Sequence, residues 1–135
     1  MNVRRFTTSF IAVFIVFGVL EYLIHMRILA GLYEANADLN LWRPMDEWWD
    51  RPGWLGLSGA IFVGAFCLIF DKGYEGKGLM EGVRYGSLVA TLLTGIIIGF
   101  YVFMPIPLTL VGCWTIAVFL ESITAGVILA KLRAD

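Results

Sequence analysis

From Tyr85 to Leu120 the chain carries no charged side chain, and this run constrains the fold more than any other feature. It is too long for one bilayer crossing, since about 20 apolar residues in a helix cover roughly 30 Å of hydrocarbon. Pro105 and Pro107 divide it. Proline removes a backbone donor, and the residue before it is driven out of the helical region. The pattern predicts one helix over about 85–104 and another over about 108–132. Two more apolar runs precede them, one over about 6–24 interrupted by Glu21, and an uncharged one over about 54–70. An open segment in lipid satisfies its own backbone only as a helix. The expected fold is therefore an all-α integral membrane protein, a single domain over 1–135 built as a four-transmembrane-helix bundle.

Composition agrees. Charged residues make up 16% of the chain and apolar ones 59%, whereas soluble domains carry about 25% charge. A net charge of −1 leaves no strongly basic face for nucleic acid. Arg4 and Arg5 before an apolar core, with Ala35-Asn36-Ala37 further on, have the look of a secretory leader. The distance from Leu20 to Ala37, broken by Glu21, His25 and Arg27, argues instead for a retained span.

Lys and Arg placement sets the expected orientation. Arg4, Arg5, Lys72, Lys77, Arg84, Lys131 and Arg133 fall on one side; Arg27, Arg43 and Arg51 fall on the other, among acidic residues. Both termini are expected in the cytoplasm, with a long outer loop over 25–53. Trp42, Trp48, Trp49 and Trp54 gather in or beside that loop, with Arg43 among them. Tryptophan suits the headgroup layer, so these residues read as an interfacial anchor or as a lid over a cavity.

Small residues recur at every fourth position: Gly56, Ala60 and Gly64 on the second span, Ser87, Thr91, Gly95 and Gly99 on the third, and Ser122 and Gly126 on the fourth. In lipid such stripes allow close backbone approach and are expected to be packing seams, within the bundle or against another subunit. The glycines of Asp71-Lys72-Gly73-Tyr74-Glu75-Gly76-Lys77-Gly78 lack the Gly-Lys-Ser/Thr ending and the preceding strand of a phosphate loop. They read as a tight turn. Cys67 and Cys113 match no zinc or redox spacing.

Three ionisable side chains fall in or near the predicted hydrocarbon: Glu21, His25 and Glu121. A charge at mid-span costs on the order of 3 kcal/mol, so such groups face the bundle interior or find partners. Glu21 and His25, four apart, share a helix face. At about 1.5 Å per residue, Glu21 lies roughly 22 Å and Glu121 roughly 16 Å from the cytoplasmic end. They are within reach of each other if the first and fourth helices are neighbours.

Two carboxylates and an imidazole suit a divalent metal or a proton relay. Alternatively, a Glu pairs with Tyr22, Tyr101, Ser122 or a backbone carbonyl and holds helices together. The Glu-x-x-His pattern of soluble di-iron bundles is absent, and a single His excludes a haem held by two histidines of one chain. No catalytic triad or phosphate cradle is visible. No cofactor is required, and the balance leans away from an enzyme.

The segments Glu21-Tyr22-Leu23-Ile24-His25, Leu41-Trp42-Arg43-Pro44, Lys72 to Gly78 and Pro105-Ile106-Pro107 together resemble a group of small, uncharacterised bacterial four-helix membrane proteins. The resemblance implies a bacterial inner membrane and no particular activity. Two functions are therefore expected. The first is an accessory or scaffold subunit of a larger membrane assembly or homo-oligomer. The alternative is a small transporter, sensor or ligand-binding protein whose site is Glu21, His25 and Glu121.

Overall fold

A computed structural model describes residues 3–43, 47 and 50–134. Among these there is no strand, and four helices are long and apolar enough to cross a membrane. The first is α1, Val3–Leu23, prolonged by a π-helical turn over Ile24–Ile28. A short helix α2, Ala30–Glu34, and a 3-10 turn, Ala37–Leu39, follow. Then come α3, Pro52–Gly73, α4, Leu79–Phe103, and α5, Leu108–Ala134. The first two spans are longer at both ends than the apolar runs alone suggest, the third begins earlier and the fourth ends later, because helix continues into the flanking polar residues. His25 consequently belongs to the prolonged first span.

The helix boundaries have local causes. Pro52 occupies the first turn of α3, where its missing N–H leaves nothing unsatisfied. Between α4 and α5, Met104 is extended at φ −124° and ψ 144°, and Ile106 tucks into the core. The α3–α4 turn uses Gly76 and Gly78 at φ 74° and 75°, a region costly for residues with a Cβ. Glu81, three residues into α4, is buried and accepts the backbone N–H groups of Glu75 (2.5 Å) and Lys77 (2.7 Å). A carboxylate there also meets the positive end of the helix dipole. This turn holds no phosphate cradle; its acceptor is supplied from within.

Helix α5 is the hub, packing against α4, α1 and α3. On one flank Gly82 and Gly86 of α4 press on Gly126 and Ser122 so closely that a Cβ on Gly86 would lie 2.6 Å from Ile123 Cα. On the other, Ala125 and Leu129 join Val13, Phe17, Val63, Phe66 and Phe70 in one core. Phe66 and Phe70 of α3 meet the Tyr85 ring edge-on at 4.7 Å and 5.3 Å, and Tyr85 donates its hydroxyl to the Phe66 carbonyl at 2.6 Å. At the end bearing the termini, Arg133 Nε donates to Asp71 Oδ1 at 2.8 Å, tying α5 to α3.

The small-residue seams differ from expectation. Gly95 and Gly99 have open space where a Cβ would stand, and so does Gly56. The third span instead packs through Gly82, Gly86 and Ala90, all buried, which are offset by one position from the expected stripe. On α3 the close approach is at Gly59, where a Cβ would lie 3.3 Å from Phe14 Cε2; at Gly64 it would lie 3.9 Å from Phe10 Cε2. Ser122 and Gly126 do lie in a seam.

Replacing Gly86 with Ala should lower stability in detergent by about 1–3 kcal/mol through overpacking against backbone. Gly95→Ala should be neutral or slightly stabilising, since a helical Gly gains by becoming Ala where space exists. Thermal unfolding followed by circular dichroism compares the two; equal effects would contradict the described seam.

Candidate functional site

Glu21 lies in the last turn of α1, and the chain then widens into the π-turn, where Leu29 N–H bonds to Ile24 O at 2.8 Å. Single π-turns within helices recur at functional sites. His25 sits in this turn with its Nε2 3.4 Å from Glu21 Oε2. Across the interface, α5 supplies Glu121, buried to 2% exposure. One donor atom from each of Glu21, His25 and Glu121 lies within 4.8 Å of the others. The structure thus brings together the three ionisable residues singled out above.

Exposure is graded across the cluster. The Glu21 side chain is 55% exposed and His25 24%, while Glu121 is enclosed. Glu121 Oε1 has no hydrogen-bond partner. The helix-holding pairings considered for it do not claim that oxygen. Tyr22 is turned outward beneath Arg27, whose guanidinium carbon lies 5.5 Å from the ring centre, and Tyr101 is exposed on α4. Leu20, Ile24, Leu29, Cys113 and Ala117 form the apolar wall beside the carboxylates.

The other face of His25 is held by groups that sequence reasoning missed. Its Nδ1 is 2.5 Å from the Tyr33 hydroxyl, and Trp114 Nε1 donates to that same hydroxyl at 2.8 Å. The Tyr33 phenol titrates above its ordinary range, chiefly because it is buried; the Trp114 bond partly offsets this, and the nearby Glu21 charge adds to it. Trp114 N–H fills one acceptor position of Tyr33, which leaves two arrangements of the remaining proton. Tyr33 O–H can donate to Nδ1, so that Nε2–H faces Glu21. Alternatively Nδ1–H donates to Tyr33, and Nε2 presents a lone pair to the carboxylates. A Trp inside an apolar run was the available signal, because its N–H requires a buried acceptor.

Of the loop residues expected as anchor or lid, Trp42 alone among those described is against the site. Its ring meets Tyr33 at 5.0 Å and Trp114 at 6.4 Å, edge-on to both. Arg43 is exposed and pairs with Glu47 at 3.3 Å. Trp54 is 73% exposed at the start of α3, over an apolar hollow with Leu57 and Ile61. Trp48 and Trp49 lie outside the described residues. Cys67 and Cys113 are both free.

Comparison with protein-family models, curated proteins and solved structures finds no match.

His25 is the chain's one histidine, so its reaction with diethyl pyrocarbonate reports directly on access to the cluster. Trp42→Ala should speed that reaction several-fold by uncovering Tyr33 and the imidazole beneath it. An unchanged rate in a folded variant would remove Trp42 from the role of lid.

Proposed function

We propose that this chain is a multi-pass membrane protein that binds a divalent transition-metal cation at Glu21, His25 and Glu121. The observation that carries the reading is the convergence of those three donors on a buried carboxylate with an unpartnered oxygen. Two carboxylates so close repel each other when ionised, and a dication between them reverses that repulsion. Two oxygens and one imidazole nitrogen are ordinary donors for Zn²⁺, Mn²⁺ or Fe²⁺. Their spread exceeds that of a closed coordination sphere, and the half-exposed Glu21 is the side chain with room to move inward. Tyr33 supplies the outer partner that a metal-bound imidazole needs, accepting Nδ1–H and leaving Nε2 for the ion.

Three protein donors leave positions for water or an exchanging ligand. This favours a carrier or sensor over a permanently closed structural site. The distribution of Lys and Arg supports cytoplasmic termini, which puts Trp42 and Trp54 at the outer face. The resemblance to small bacterial four-helix proteins supports a bacterial inner membrane. A second reading, as a subunit of a larger assembly or homo-oligomer, draws on the third span. Its Ser87, Thr91, Gly95, Gly99 stripe is left open to another helix, with vacant space at both glycines.

The test is calorimetric titration of the chelator-treated protein in mild detergent with Zn²⁺ and, separately, Mn²⁺. Saturable binding near one ion per chain is expected. Its affinity should fall by about tenfold or more in Glu21→Gln, His25→Ala and Glu121→Gln, each checked for helix content. It should also weaken as pH falls, because protons compete for the same donors. Absence of saturable binding by either metal, or binding indifferent to all three substitutions, would overturn the reading.

A further inference from the structure

At the end of the bundle bearing the termini, Arg4, Arg5, Thr8 and Ser9 of α1 face Leu132 and Arg133 of α5 across a hollow of about 300 Å³. Among the described residues, three guanidinium groups line it and no carboxylate does. Two buried polar groups of its lining are left without partners. Arg133, whose side chain is 7% exposed, directs Nε and Nη2 to Asp71, while its Nη1 meets no acceptor. Ser9 is 1% exposed and its Oγ also has no partner. Its neighbours Thr7 and Thr8 each satisfy their hydroxyls on a carbonyl four residues back, at 3.0 Å. A buried donor without an acceptor costs about 1–3 kcal/mol, so a ligand that supplies acceptors here is favoured.

We infer that this hollow is a phosphate-binding site, with Arg133 Nη1 and Ser9 Oγ as its buried donors and Arg4 and Arg5 as its outer cations. Asp71 is the acidic group facing Arg133, and it engages the Nε and Nη2 edge, so the remaining edge is left for an oxyanion. Guanidinium matches phosphate geometry with paired donors. Arg133 Nη1 and Ser9 Oγ are shut from solvent by the side chains around them, and the exposed Arg4 and Arg5 chains turn inward over the phosphate once it enters. The phosphate group is that of an anionic phospholipid or of a soluble phosphate, since both offer the same oxygens. Every residue involved is remote from Glu21, His25 and Glu121, so this inference stands or falls independently of the metal reading.

The experiment uses the delipidated full chain in neutral detergent and follows its thermal unfolding. One arm adds phosphatidylglycerol, one phosphatidylcholine at equal concentration, and one inorganic phosphate at constant ionic strength. Stabilisation by phosphatidylglycerol but not by phosphatidylcholine or inorganic phosphate supports the site with a lipid headgroup as its ligand. Stabilisation by inorganic phosphate as well supports it with a soluble phosphate. In either case the doubly substituted Arg4→Gln, Arg5→Gln protein should bind on the order of tenfold more weakly, and Ser9→Ala should also bind more weakly with its helix content retained. Equal stabilisation by the two lipids with none from phosphate, or unchanged affinity in both variants, would overturn the inference.

Discussion

Where Gly82 and Gly86 meet Gly126, two helices approach with little but backbone between them, and the rotation of α5 is thereby set. With Ser122 and Gly126 turned to α4, the neighbouring flank carrying Glu121, Ala125 and Leu129 turns toward α1 and α3. Helices apolar enough to cross a membrane would gain no hydrophobic drive to associate in lipid, where close contact at small residues supplies much of the adhesion. A carboxylate on α5 is enclosed because α5 is enclosed, and α5 is enclosed because α4 can lie so close. The Asp71–Arg133 pair and the Tyr85–Phe66 hydrogen bond secure the same arrangement at the end bearing the termini.

Much of the architecture was legible because its causes are local. The proline break, the four apolar runs and the glycine turn each follow from a property of the residues present. The meeting of Glu21 with Glu121 followed from counting rise along two helices, and the adjacency of α1 and α5 satisfies its one condition. The glycine seam was hidden for an instructive reason. Gly82 precedes Tyr85, the first residue of the uncharged run, and Glu81 and Arg84 flank it closely enough to place it outside the expected span. Glu81 is no interruption of the helix, since its carboxylate folds back to hold the preceding loop.

Tyr33 and Trp114 were not legible as partners, because they are joined by a hydrogen bond between residues far apart in sequence. Nor does any simple periodicity announce the widened turn at Ile24–Ile28. Together these two features decide which imidazole nitrogen faces the carboxylates. Glu21 and His25 show by themselves that an ionisable pair exists; Tyr33 and Trp114 show how its proton is governed. The graded exposure from Glu21 through His25 to Glu121 gives the cluster an open side and a closed side.

The widened turn has a mechanical consequence. It is a dislocation in an otherwise regular rod, holding one residue more than an α-helical turn. Wound as a regular α-helix with the same number of residues, the segment would rotate everything beyond it by about 100°. The tyrosine cap would swing away from the imidazole although no side chain had changed. The winding between Glu21 and Tyr33 is therefore itself a determinant of the site: the defect sets the phase between a rigid rod and the cap that closes it.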